Sequence, residues 1–120
     1  KKIKNLLLDQ KFISGIGNIY ASEILYYSKI RPNKIGRRVK NSEIKQIEKF
    51  SKHVLKKAIK KGGSTIRNFI NSEGLDGSYQ KEFKVYDREG KECSTRKCNG
   101  FIKKIVISNR STFYCKNCQK

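Results

Sequence analysis

Between residues 42 and 61, apolar side chains recur every three or four positions, which predicts a long amphipathic helix. The apolar stripe consists of Ile44, Ile47, Phe50, Val54, Leu55, Ala58 and Ile59. Lysines occupy most of the remaining surface of this segment. Ser42 is suited to cap the helix, and Glu43 suits the partial positive charge of its first turn. The pair Gly62-Gly63 is expected to end it.

Shorter helices are predicted on both sides of this one. The apolar residues of segment 1–9 fall on one side, as in a short helix. A second helix is expected from Ile19, with Asn18 as its N-cap, and Pro32 ends it.

A fourth helix is expected to run as far as Ile70, capped by Ser64 or Thr65. The segment 71–79 contains two glycines and is predicted to be a mobile loop.

The last third of the chain has the alternation and turn residues of β-structure. Phe83–Tyr86 is strand-like and leads into a turn at residues 87–90. Phe101–Ser108 and Ser111–Tyr114 are predicted to form a hairpin joined at Asn109-Arg110. The predicted fold class is therefore mainly α, with about four helices and a small C-terminal β-hairpin.

Two cysteine pairs flank the predicted hairpin, Cys93 with Cys98 and Cys115 with Cys118. A pair of thiolates on each of two turns is the arrangement that binds one Zn²⁺ tetrahedrally. Two disulfides are the alternative. Zinc is favoured because each pair is close in sequence and no export signal is visible. Folding of this module is then expected to depend on the metal.

The charge of the chain indicates a polyanionic partner. It has 29 Lys and Arg against 10 Asp and Glu, for a net charge of +19, and only 36% of its residues are hydrophobic. Phosphates would relieve the self-repulsion, so nucleic acid is the leading partner. Biased codon usage is an alternative source of lysine, but it does not explain the scarcity of acidic residues.

A membrane surface is the other acidic partner to consider. No segment has the roughly 20 apolar residues that span a bilayer, and no signal peptide opens the sequence. We therefore expect a cytoplasmic protein that does not associate with membranes.

Two sites have the residue types of phosphate recognition. Gly15-Ile16-Gly17-Asn18 combines glycines, a helix start and an amide donor, although Asn18 could be a cap alone. Arg110, near the tip of a metal-fixed hairpin, is placed to clamp phosphates, unless it is simply a solvated turn residue. No nucleophilic triad or acid–base pair is visible, and the lone His53 is expected to be structural.

Taken together, these residues resemble the C-terminal part of formamidopyrimidine-DNA glycosylase, a bacterial family that excises oxidised purines. The matching motifs are Leu7-Leu8-Asp9-Gln10, Gly15-Ile16-Gly17-Asn18-Ile19-Tyr20-Ala21, Ile30-Arg31-Pro32, Gly62-Gly63-Ser64-Thr65, Val85-Tyr86 and the closing run from Arg110 to Gln119. The resemblance implies a helix–two-turn–helix domain over residues 1–82 and a zinc finger over residues 83–120.

The resemblance also implies roles for individual residues. Asn18 with its neighbour Gly17, Arg110 and, more weakly, Lys4 would contact phosphates of damaged or abasic duplex DNA. Arg110 would also assist the second, δ-elimination step of strand cleavage. A loop over the extruded base would comprise Ser72, Glu73, Gly74, Leu75, Asp76, Gly77, Ser78 and Tyr79.

Two features depart from the family pattern. Four residues separate Cys93 from Cys98, where the family usually has two, so a looser first knuckle is expected. The family's N-terminal proline, the following glutamate and a β-turn lysine belong to its other half, whereas this sequence opens Lys1-Lys2-Ile3. We therefore expect a DNA-binding fragment that is inactive without its N-terminal catalytic domain.

Alternatives remain from the sequence alone. One is an endonuclease-VIII-type paralogue acting on oxidised pyrimidines. The other is a non-enzymatic zinc-ribbon module that binds nucleic acid.

Overall fold

The computed structural model describes residues 1–8, 17–60, 83–95 and 97–120. In chain order these form α1 (Ile3–Leu8), α2 (Gly17–Ser28), a 3-10 turn (Gly36–Arg38), α3 (Asn41–Lys60), β1 (Ile102–Ile107) and β2 (Arg110–Cys115). The predicted mainly α fold with a small β-hairpin is confirmed. The expected fourth helix and base-covering loop lie outside the described residues. None of the described helices is long and apolar enough to cross a bilayer.

Helix α2 is the centre of the fold. It packs against α1, α3 and β2, and its residues Ala21, Ile24 and Leu25 are completely buried. Each fully buried Ile or Leu contributes about 1.5–3 kcal/mol of hydrophobic free energy. Because α2 is covered on several sides, its sequence lacks the one-sided apolar stripe of a surface helix.

Helix α2 begins two residues earlier than predicted. The helix starts at Gly17, so Asn18 lies in its first turn and the prediction of Asn18 as N-cap is wrong. The amide of Asn18 instead makes side-chain hydrogen bonds to α1 and β2. The Asn18 side chain, which the local sequence pattern predicted to cap the helix, is therefore bonded to residues distant in sequence.

The predicted stripe of α3 faces the core in part: Ile47 and Val54 are buried, whereas Ile44 is 42% exposed, and the side chains of residues 58–60 lie outside the described structure. Its predicted cap is wrong, because the helix begins at Asn41 and Ser42 lies within it. The Glu43 carboxylate accepts the backbone N–H of Lys40 at 2.8 Å, which is half of a capping box. This contact and the charge of Lys34, 3.0 Å away, lower the pKa of Glu43.

The C-terminal hairpin is antiparallel, with Ile107 paired to Arg110. Its turn is Ser108-Asn109, whose φ angles of 51° and 65° fit a two-residue type I′ turn. The predicted junction was therefore one residue late, and Arg110 is the first residue of β2. The left-handed backbone is confined to Ser108 and Asn109, so Arg110 next to the turn has the extended conformation of a strand.

The strand predicted at Phe83–Tyr86 is wrong, because the segment is a series of bends and turns. Its backbone N–H groups at Lys84, Val85 and Tyr86 are bonded to the carboxylate of Glu23 on α2, not to a neighbouring strand. The buried Val85 then joins Ile102 and Phe113 in a second core cluster beneath the hairpin.

Candidate metal centre and phosphate-binding cluster

The four cysteine sulfurs come together at the base of the hairpin. All four Sγ atoms lie within 4.8 Å of one another. The Sγ–Sγ distances are 3.0 Å for Cys98 and Cys118, 3.4 Å for Cys98 and Cys115, and 3.5 Å for Cys93 and Cys118. Zn–S bonds of about 2.3 Å place tetrahedral sulfurs about 3.8 Å apart, so this donor set fits Zn²⁺. None of these cysteines forms a disulfide.

Backbone pairing holds the first cysteine knuckle against the hairpin. The N–H of Cys93 donates to the Gly100 carbonyl at 2.8 Å. Across the site, the amide of Asn117 donates to the Cys98 carbonyl at 3.1 Å. A Cβ at Gly100 would approach the Asn117 side chain to 3.0–3.1 Å, so the two knuckles pack closely there. The wide spacing between Cys93 and Cys98 does not prevent the sulfurs from meeting.

The thiols differ in acidity. Burial acts to raise the pKa of Cys93, but hydrogen bonds from Thr95 and Tyr26 outweigh it and lower that pKa to about 6. Burial and neighbouring thiols raise the pKa of Cys118 to about 12. Metal binding to such a cluster must therefore displace protons.

A second cluster joins the two helices at the N-terminal side of the fold to the hairpin. Lys4 is completely buried, and its Nζ donates to Asn18 Oδ1 at 2.5 Å and to Thr112 Oγ1 at 2.7 Å. Asn18 Nδ2 donates to the Ser111 carbonyl at 3.2 Å. One ammonium and one amide thus connect α1, α2 and β2.

Arg110 stands beside this cluster with its side chain exposed. Its carbonyl accepts the Thr112 hydroxyl at 3.1 Å. Burial, and secondarily the charge of Arg110, lower the pKa of Lys4 to about 8. The structure therefore brings together Lys4, Asn18 and Arg110, next to the start of α2 at Gly17. Two cations, an amide and a helix N-terminus in one place favour a bound anion.

Glu23 is a structural residue that sequence inspection missed. Its buried carboxylate accepts the backbone N–H groups of Lys84, Val85 and Tyr86 at 2.8–2.9 Å. Burial raises the pKa of Glu23, and the three donors oppose that shift. The sequence did contain a signal for this role, because Glu23 is the one carboxylate in helix α2. A buried carboxylate needs several hydrogen-bond donors.

The end of the chain is docked on the end of α2. The buried Gln119 amide accepts the Cys115 N–H at 2.7 Å and donates to the Ile30 carbonyl at 2.8 Å. Arg31 Nε donates to the Gln119 carbonyl at 2.8 Å. These bonds fix the second cysteine knuckle to the helical part of the described structure.

The fold and site define a helical domain carrying a four-cysteine hairpin module. This chain belongs to the formamidopyrimidine-DNA glycosylase H2TH domain family, which it matches over residues 1–70. Residues 90–120 match the zinc finger found in FPG and IleRS.

Individual relatives agree. The chain is 47% identical over 117 residues to formamidopyrimidine-DNA glycosylase of Rickettsia canadensis, covering 98% of this chain and 42% of the relative. It is 39% identical, with a TM-score of 0.82, to Lactococcus lactis FPG (MutM) in complex with DNA containing FAPY-dG. To the L. lactis enzyme bound to DNA containing an abasic site, it is 40% identical with a TM-score of 0.83. The chain covers 42% and 43% of those two structures. It thus spans less than half the length of the relatives it matches.

Proposed function

We propose that this chain is the DNA-binding part of a bifunctional DNA glycosylase and abasic-site lyase. The whole protein would remove oxidised purines such as 8-oxoguanine and formamidopyrimidines, cleave the strand by β,δ-elimination, and act in the bacterial cytosol. The convergence of Lys4, Asn18 and Arg110 carries the proposal. Family membership and the DNA complexes of the L. lactis enzyme support it.

The proposed task of the cluster is to hold the backbone of duplex DNA beside an extruded nucleotide. Extrusion of a base costs a few kcal/mol, which contacts to the distorted backbone offset. Arg110 offers a planar, exposed guanidinium that matches phosphate oxygens. Asn18 Nδ2 is bonded to a carbonyl at 3.2 Å, and an anionic phosphate oxygen is a stronger acceptor than that carbonyl.

Lys4 is completely buried and bonded to Asn18 and Thr112, so we assign it the positioning of the Asn18 amide in place of the direct phosphate contact expected from the sequence. Gly17 would allow close approach of the backbone at the start of α2. Arg110 would also stabilise charge during δ-elimination. The proposed loop over the extruded base, residues 72–79, lies outside the described structure.

Zinc is proposed to be bound by Cys93, Cys98, Cys115 and Cys118. The ion would have a structural role, because four thiolates leave no open coordination position. By fixing both knuckles it would hold the hairpin, and hence Arg110, in place. The proposed domains are residues 1–82 for the helical part and 83–120 for the zinc finger.

We assign the covalent chemistry to the portion of the relatives with which this chain does not align. The Schiff-base amine, the proton-transferring glutamate and the β-turn lysine implied by the resemblance would lie there. The 120-residue chain alone is therefore expected to bind DNA without excising bases.

The test is binding of the zinc-loaded chain to a duplex with a reduced abasic-site analogue and to the same undamaged duplex, at one salt concentration. We expect preference for the damaged duplex, and loss of that preference in Arg110→Ala. Lys45→Ala on α3 removes one positive charge at a different place and should weaken binding to both duplexes equally. Failure to bind either duplex, or equal losses in the two variants, would overturn the proposal.

A further inference from the structure

Tyr26 connects the central helix to the cysteine cluster. Its side chain, 7% exposed, extends from α2 to the first knuckle. The Tyr26 hydroxyl oxygen lies 3.6 Å from Cys93 Sγ and 2.5 Å from Thr95 Oγ1. The Thr95 backbone N–H also donates to Cys93 Sγ, at 3.5 Å. Cys93 is therefore the cysteine sulfur contacted by a side chain of the helical part of the described structure.

The direction of these hydrogen bonds follows from the state of the sulfur. A cysteine that binds Zn²⁺ does so as a thiolate, which has no proton to donate. The Tyr26 hydroxyl must then donate to Cys93 Sγ. Because a phenol has a single proton, the Thr95 hydroxyl donates in turn to Tyr26. The three groups form one directed chain from Thr95 through Tyr26 to Cys93.

We propose that Tyr26 is a positioning residue of the metal centre, which orients the Cys93 thiolate and stabilises it by a hydrogen bond from the helical domain. This inference rests on the zinc site proposed above. Partners around a metal ligand fix its orientation and tune the metal, and their loss typically costs about 10–100-fold in affinity. The metal centre would thus be built partly on α2, and not by the cysteine module alone.

The wide spacing of the first cysteine pair contributes directly to this arrangement. Thr95 is one of the four residues between Cys93 and Cys98, and its hydroxyl and N–H contact Tyr26 and Cys93 respectively. The wider knuckle therefore gains a contact from outside it. Tyr26→Phe would keep the packing but remove the donor that α2 supplies to Cys93, which leaves the sulfur with donors from Thr95 of its own knuckle.

Tyr20 provides a matched control on the same helix. It is 3% exposed, and within the described structure its hydroxyl has no hydrogen-bond partner. Tyr20→Phe and Tyr26→Phe each remove one buried hydroxyl from α2, but only the second removes a contact to the cysteine cluster. Comparing the two separates the effect on the metal from the general effect of the substitution.

The experiment uses the 120-residue chain loaded with Co²⁺ and with Zn²⁺. Affinity is measured by competition with a chromophoric chelator, and the thiolate-to-cobalt charge-transfer band by absorption. For Tyr26→Phe we expect affinity about tenfold weaker and the band shifted to lower energy, because a hydrogen bond stabilises the sulfur electrons. Tyr20→Phe should match the wild type in both.

The remaining outcomes distinguish failure of the role proposed for Tyr26 from failure of the proposed metal site. Equal affinity and equal spectra for the two variants would overturn the role of Tyr26 while leaving the four-cysteine site intact. Weaker affinity without a band shift would indicate a packing effect and would also overturn it. Absence of tetrahedral thiolate–cobalt absorption in the wild type would instead overturn the proposed metal site itself.

Discussion

The ammonium nitrogen of Lys4 lies 2.7 Å from the hydroxyl oxygen of Thr112, a residue 108 positions later in the chain. Both side chains are completely buried. The contact fixes the first helix to the second strand of the hairpin, directly beside Arg110. The helical part and the cysteine module are therefore joined at the place where the proposed phosphate contacts converge. Removal of a single buried charge should affect both stability and binding.

The buried Lys4 predicts a dependence of stability on pH. Its pKa in the folded chain is about 8 against 10.5 for an ordinary lysine. Between these values the unfolded chain holds more protons than the folded one, so the free energy of unfolding rises with pH. Relative to Lys4→Met, the wild type should gain about 1 kcal/mol between pH 7 and 9.5, allowing for solvent screening.

Urea unfolding of both proteins across this range measures the gain. Lys103→Met, which removes an exposed lysine from β1, is the control and should show a constant difference from wild type. A Lys4→Met difference that is equally constant would contradict the burial of a titrating ammonium.

Asn18→Asp should separate folding from binding. The aspartate keeps an oxygen for Lys4 and forms an ion pair with it, which offsets the lost donor to the Ser111 carbonyl, so the fold should be retained. It loses the amide donor and adds a negative charge that repels phosphate, so affinity for abasic-site DNA should fall about tenfold or more. Asn33→Asp, an exposed asparagine in the connector, makes the same change of charge and should have a much smaller effect. Equal losses in titrations of the two variants would mean that only net charge matters.

Some structural elements could be predicted from the local sequence pattern. Others are determined by contacts between residues distant in sequence, which the local pattern does not show. The stripe of α3 and the cysteine spacing correctly predicted a core helix and a cluster of four sulfurs. Phe83–Tyr86 is rich in aromatic and β-branched residues, as strands are, but its N–H groups bond to a side chain some 60 residues earlier. The Glu23 carboxylate accepts the backbone hydrogen bonds that a neighbouring strand would otherwise accept.

The grouping of Lys4, Asn18 and Arg110 was expected only from the family resemblance. Nothing in the spacing of these residues brings them together, because Lys4 contacts Asn18 across 14 residues of sequence and contacts Thr112, two residues after Arg110, across 108. The Tyr26 contact to Cys93 was unexpected altogether, since a tyrosine in an apolar helix is normally interpreted as core.

Glu23→Gln should destabilise the chain and loosen the segment that precedes the first cysteine pair. The two carboxylate oxygens of Glu23 serve three backbone donors, and glutamine has only one acceptor oxygen. At least one buried N–H would lose its partner, which costs about 1–3 kcal/mol. Urea unfolding gives the loss, and faster amide exchange at Lys84–Tyr86 locates it. Glu48→Gln, an exposed change on α3, should be nearly neutral, and similar costs for both would exclude a special role for Glu23.

Removal of zinc should unfold the hairpin module and leave the helical core in place. The α2 and α3 core depends on buried side chains such as Ile24 and Val54, whereas the proposed zinc ligation is expected to hold both cysteine knuckles. Cys118→Ser, or chelation of the metal, should therefore collapse the amide dispersion of residues 92–120 and abolish DNA binding, while α3 retains its shifts. Ser94→Ala, an exposed change in the first knuckle, should leave both spectrum and binding unchanged. If metal-free protein kept an ordered hairpin, its docking through Gln119 and Glu23 would be sufficient without zinc.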